Sequence, residues 1–195
     1  FEEPRECSGP VGQPVDFADG QATQTATVTV NGDLTLELHE TLLLTLSSPS
    51  SGWGIDDGQG TGTIQNDDTV PNASISDVAQ LEGNSGTTAF VFTVSLSNPT
   101  YLPVPIFFST QNGSATAPGD FAPLASSFIL SPEVTSQTIT VEVVGDTTPE
   151  VDETFFVNIA SPAPGGGTVI IVDPPGQGPV QNDDAVTAFS LGDVA

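Results

Sequence analysis

The sequence predicts an all-β protein built as tandem antiparallel β-sandwiches, and three observations carry that prediction. Apolar residues alternate with polar ones at a period of two, and no segment has helical periodicity. Glycine and proline, 20 and 17 of the 195 residues, punctuate these runs as turns. A dense acidic turn feeding an apolar strand occurs twice. In Gly145 to Phe155, GDTTPEVDETF, the acids Asp146, Glu150 and Glu153 lead into FFVNIA. In Gly32 to Leu42, GDLTLELHETL, the acids Asp33, Glu37 and Glu40 hold matching positions 113 residues earlier. Recurrence at a fixed offset marks repeated modules. Some seven short strands with Gly/Pro turns in roughly 115 residues describe a sandwich.

The first copy is short. Within residues 1 to 24, only PVDFADG, Pro14 to Gly20, has a later echo, APGDFAP at Ala117 to Pro123. Aligning Asp16-Phe17 with Asp120-Phe121 gives an offset of 104, so about nine residues, one strand's worth, are absent from the first copy. From Thr25, Ala26, Val28 and Val30 alternate with polar residues, and Leu42, Leu44 and Leu46 share a face of the next strand. Ser47 to Gly62 reads as a loop carrying Trp53, and Thr63-Ile64 leads into QNDD, Gln65 to Asp68.

The second copy is complete. Ala73 to Gln80 opens it. Phe90, Phe92, Val94 and Leu96 then share one strand face, and Val104, Ile106 and Phe108 another. Asn112-Gly113 is a turn pair suited to positive φ. After Phe128 to Leu130 come Ile139, Val141 and Val143, then Phe155, Val157 and Ile159. Gly165 to Gly167 and Asp173 to Gly178 read as loops around Val169 to Val172, and Gln181 to Asp184 repeats QNDD. Phe189 to Ala195, FSLGDVA, aligns with ASISDVA at Ala73 to Ala79. The expected organisation is an incomplete module at 1–69, a complete one at 70–185, and at 186–195 the first strand of a further module or a strand donated to a neighbour.

The charge is one-sided. Twenty-five acidic residues face one cation, Arg5, for a formal net charge of −24. Two carboxylates about 4 Å apart repel by roughly 4 kcal/mol at an effective dielectric near 20, so clustered acids call for an external cation. The same deficit excludes nucleic acid and anionic membrane surfaces as partners. No apolar run reaches the roughly 18 residues of a membrane span. The N-terminus has no basic region followed by an apolar stretch, so any signal peptide is expected to have been removed. Cys7 is alone and forms no internal disulfide, and Glu2, Glu3 and Glu6 outnumber Arg5 around it. There is no Ser/His/Asp arrangement, phosphate loop, HExxH, EF-hand or GGxGxD repeat, and the chain is not expected to be an enzyme. Asn72-Ala-Ser and Asn112-Gly-Ser fit the N-glycosylation pattern.

The acidic turn, the DETFFVNI strand and the closing QNDD, at these separations, resemble the Calx-beta family, named for regulatory domains of sodium/calcium exchangers and found in tandem in bacterial surface proteins. The resemblance covers residues 73 to 184 nearly end to end and 16 to 68 in part. It implies a seven-stranded immunoglobulin-like sandwich with calcium ions (Ca2+) bound among the loops at one end. Onto this chain it carries metal ligands at Glu82 in QLEGNSG, Asp120 in GDF, Asp146, a backbone carbonyl near Thr148, Glu150, Glu153, Asp183 and Asp184. In the first copy the counterparts are Asp16, Asp33, Glu37, Glu40, Asp67 and Asp68, the Glu82 equivalent is missing, and His39 stands where Asp152 stands. Gly145 and Asn182 replace acids common in exchanger domains, which implies fewer ions or weaker binding. The chemistry agrees: calcium takes six to eight oxygen ligands in flexible geometry, without nitrogen or sulfur.

The expected function is an extracellular, secreted or cell-surface structural or adhesive protein, in which calcium at module ends stiffens a tandem array. Only Thr69 to Asn72 separate Asp68 from the next strand, short enough for two modules to feel one joint. The expected partners are neighbouring modules or identical subunits, in a filament or by strand complementation. A calcium sensor that moves on binding is the second reading. A glycan- or protein-binding adhesin using loops near Trp53 or Pro99 to Pro105 is the third.

Overall fold

A computed structural model describes residues 7–9, 12–161, 169–173 and 175–185. The expected strand at Phe189 to Ala195 and the loop at Gly165 to Gly167 lie outside the described residues. The chain divides into two compact units, Phe1–Asp68 and Thr69–Ala195. No described residue is helical.

In the first unit, β1 (Cys7–Ser8) pairs antiparallel with β2 (Thr29–Val30), and β3 (Glu40–Thr45) with β4 (Gln59–Ile64). The strand expected from Thr25 shrinks to Thr29–Val30, and Val30 is 47% exposed. Alternation alone does not hold a long strand, since a two-stranded pair is marginal by itself. In β3, Leu42 and Leu44 turn to the half-buried side and Leu43 to solvent, but Leu46, expected on the same face, lies past the strand end and is exposed. None of this unit's described residues is fully buried.

The second unit is a two-layer sandwich. Its strands are β5 (Asn72–Ile75), β6 (Gln80–Leu81), β7 (Gly86–Leu96), β8 (Val104–Gln111), β9 (Ala125–Leu130), β10 (Ser136–Gly145), β11 (Glu153–Ala160), β12 (Ile170–Asp173) and β13 (Gly176–Gln181). One sheet runs β10-β7-β5-β12 and the other β6-β13-β11-β8-β9. Pairing is antiparallel except where β12 meets β5 and β13 meets β6, both parallel. The β7–β10 register sets Phe92 opposite Ile139 and Phe90 opposite Val141, which aligns the two apolar faces. Phe90, Phe92, Phe121 and Phe155 are fully buried, and each stabilises by about 1.5–3 kcal/mol through the area it removes from water. Phe155 is the hub: its ring lies 5.8 Å from those of Phe90 and Phe92 and stacks on Phe121.

Two sequence expectations about glycine are corrected. Gly176 and Gly178 are not loop punctuation but strand residues of β13. A Cβ on Gly178 would sit 2.5 Å from the Phe155 ring, so the absent side chain is space for the aromatic hub. Neither Asn112 nor Gly113 has positive φ. Gly113 is required instead because the Thr154 carbonyl occupies the place a Cβ would take.

Candidate metal centre

The site grows from the end of the sandwich's inner face. Along β11, Glu153 shares the inward side with Phe155, Val157 and Ile159, so it lies one step beyond the last apolar residue and is half-buried. Asp120 immediately precedes Phe121, whose ring stacks on Phe155. Thr116 fixes its carboxylate, donating to Asp120 Oδ2 from the backbone N–H at 2.6 Å and from Oγ1 at 3.3 Å. Glu150 completes this group: carboxylate oxygens of Asp120, Glu150 and Glu153 all lie within 4.8 Å of one another.

A second group joins Glu82, Asp183 and Asp184 within the same limit. The parallel β6–β13 pairing is what unites them, since Leu81 aligns with Gln181 and the Glu82 N–H donates to the Gln181 carbonyl at 3.1 Å. Glu82 is only 6% exposed, although it is a carboxylate. Asp183 Oδ1 accepts from Gly83 N at 3.2 Å, and its Oδ2 accepts from Asn84 Nδ2 at 3.0 Å. Among the described residues, Asp184 Oδ2 is the buried side-chain polar atom with no hydrogen-bond partner. An unpaired buried carboxylate oxygen is costly unless a cation meets it.

The acidic turn lies between the groups. Asp146 Oδ1 accepts from the Thr148 N–H at 2.6 Å, an Asx turn that orders its start. Gly145 approaches Glu82 and Gly83 so closely that a Cβ would meet the Glu82 carbonyl at 2.8 Å. The missing acid at Gly145 is thus a packing requirement. Sequence reading also passed over the role of Asn182. Its Oδ1 accepts from Glu150 N at 3.3 Å, its Nδ2 donates to the Asp184 carbonyl at 3.0 Å, and its own N–H donates to Asp152 Oδ1 at 3.2 Å. The repeated QND was the available signal.

The electrostatics reflect crowding. Burial, then the charges of Glu150, Asp146, Asp184 and Asp183, push the Glu82 carboxyl from 4.5 up to about 6. Glu153 is raised by burial, by the Asp120 charge, by a hydrogen bond shared with Asp120 and by Glu150. Asp184 is raised by burial and by Asp183 and Asp146. Every cause acts in one direction, toward the protonated form. An all-oxygen, multiply anionic set with an orphaned oxygen suits a hard divalent cation of flexible coordination.

The first unit reproduces part of this pattern. Asp33 Oδ1 accepts from Thr35 N at 2.7 Å, as Asp146 does from Thr148. Asn66 Oδ1 accepts from Glu37 N at 3.1 Å, and its Nδ2 donates to the Asp68 carbonyl at 3.0 Å. His39 Nδ1 accepts the Asn66 N–H at 3.0 Å, the role of Asp152 in the second unit. Burial, Asp67 and Asp33 raise Asp68. Glu40 begins β3, and Asp16 is exposed with its carbonyl taken by Gln24. Among the described residues, no three acids of this unit converge within 4.8 Å.

A family profile described as the Calx-beta domain matches residues 9–68 and 66–185. The crystal structure of the apo-form Calx CBD1 domain is similar, with a TM-score of 0.52 and 22% identity over 60% of this chain and 100% of that one. CBD12 from CALX1.2 gives a TM-score of 0.51 and 22% identity over 58% of this chain and 46% of that one. The calcium binding domain CBD12 of CALX1.1 gives 0.52 and 22% over 63% and 50%. The alignments thus span about half the length of these two CBD12 structures, and at such identity the likeness is one of fold. No curated protein matches this chain.

Proposed function

The chain belongs to the Calx-beta domain family, and on that premise we propose that it is a calcium-binding structural module of a secreted or surface-exposed tandem array, in which calcium stiffens the module ends. The observation that carries this reading is the Asp184 oxygen, buried and unpartnered among converging carboxylates. Glu82, Asp183 and Asp184 would hold one ion, and Asp120, Glu150 and Glu153 another. The bound cation supplies the positive charge that the sequence lacks. These acids come from four separate stretches of chain, so ligating them together restrains loops that otherwise repel one another. The work of such a site is binding and ordering, not catalysis.

Support for an array comes from the repeat itself and from the short stretch between Asp68 and β5, which begins at Asn72. Identical subunits or further modules are the proposed partners. Thermal unfolding with calcium titrated against chelator tests the reading. A saturable rise in the midpoint with calcium, larger than with magnesium, is expected. A midpoint unchanged by calcium would sink it.

A further inference from the structure

Besides the carboxylates, one neutral side chain has the same surroundings in both units. Asn182 reaches across from the closing acidic pair to the Glu150 N–H, and Asn66 reaches to the Glu37 N–H. Each donates its amide nitrogen two residues onward, to the Asp184 or Asp68 carbonyl, at 3.0 Å. Each also gives its backbone N–H to the side chain two residues after that glutamate, Asp152 or His39. The bridge spans 32 residues in one unit and 29 in the other, so the contacts persist although the intervening chain differs in length.

We propose that Asn182 is a positioning residue of the cation site, a clamp that sets the acidic turn at a fixed distance from the closing carboxylates before any ion arrives, and Asn66 makes the same three bonds in the first unit. The proposal rests on the calcium-binding reading and deepens it. The chemistry needs an amide. The Glu150 N–H requires an acceptor and the Asp184 carbonyl a donor, and the asparagine side chain offers both at once. An ionised aspartate accepts but does not donate, and at position 182 it adds a further charge beside Glu150, Asp152 and Asp184. The first unit gives an independent argument. None of its described residues is fully buried, yet the same three bonds form, so the clamp is assembled locally and is not imposed by a packed core. Holding ligands in place beforehand spares an ion part of the ordering cost when it binds.

The test is calorimetric titration of the whole chain with calcium for the wild type, Asn182→Ala and the near-isosteric Asn182→Asp, with chelator-state unfolding midpoints measured in parallel. Outer-shell supports are generally worth about 10- to 100-fold in metal affinity, and Asn182→Ala is expected to lose affinity in that range at the second-unit site, measured well below both midpoints, with a modest fall of the chelator-state midpoint from the lost hydrogen bonds. Asn182→Asp, which packs alike but loses the donor, is expected to bind no more tightly than wild type. Tighter binding by Asn182→Asp makes the position a ligand and overturns the clamp, as does unchanged affinity in Asn182→Ala. Failure of the wild type to bind calcium overturns the calcium reading and this inference together.

Discussion

The rings of Phe121 and Phe155 stack with centroids 4.6 Å apart and planes 24° from parallel. Each carries a carboxylate of the site close by in sequence. Asp120 is the neighbour of Phe121, and Glu153 lies two residues before Phe155 on the same side of β11. The distance between these two acids is therefore set by the aromatic contact beneath them. Core and site are one piece of packing, and damage to the first reaches the second.

Gly178→Ala is expected to expose this link. The added methyl meets the Phe155 ring at 2.5 Å, and strained packing of this kind costs about 1–3 kcal/mol. Denaturant unfolding in chelator should show that loss. Calcium affinity should fall as well, because the displaced ring supports Asp120 and Glu153. An alanine variant as stable as the wild type would show that the strand moves aside freely.

Asp184→Asn should separate the two states of the site. In chelator the midpoint is expected to stay level or rise, since a buried charge among like charges is removed. In calcium the midpoint is expected to fall below wild type. Calcium at ten times Kd contributes about 1.4 kcal/mol per site by mass action, which is the gain at stake. Equal calcium stabilisation in both proteins would remove Asp184 from the ligand set.

The pH dependence should change sign with the ion. The Glu82 carboxyl is raised in the folded protein from 4.5 to about 6, so the calcium-free fold binds more protons than the unfolded chain within that interval. Its contribution to stability is complete below about pH 4.5 and is lost as pH rises through about 6. Glu153 and Asp184 are shifted in the same direction and act alike. In chelator the midpoint should therefore fall between about pH 4.5 and pH 7. In saturating calcium it should rise over the same range, because the ion competes with those protons. Parallel curves with and without calcium would contradict the assignment.

Legibility from sequence followed how local each feature is. The strands β7, β10 and β11 were plain because each presents an unbroken apolar face at a period of two, and a single segment suffices to reveal it. Thr25 to Val30 has the same alternation but little strand, since a strand is stabilised by its neighbours and by a covering layer. Gly176 and Gly178 looked like loop because glycine's local preference points that way, while the deciding atoms lie elsewhere in the chain, in the Phe155 ring beside Gly178 and in Ser76, Ile75 and Phe92 beside Gly176. The roles of Asn182 and Gly145 were hidden for the same reason: their partners, Glu150 and Glu82, are remote in sequence.

By itself the sequence determined the all-β repeat, the surplus of negative charge and the acidic turn with its closing pair, all readable along one stretch at a time. Tertiary structure alone decided that Glu82 meets Asp183 and Asp184, that Asp120 meets Glu150 and Glu153, and that one Asp184 oxygen is left buried without a partner. Side-chain periodicity is a property of consecutive residues. The separation of two carboxylates far apart along the chain depends on sheet register, on the parallel β6–β13 pairing and on how closely the two layers pack.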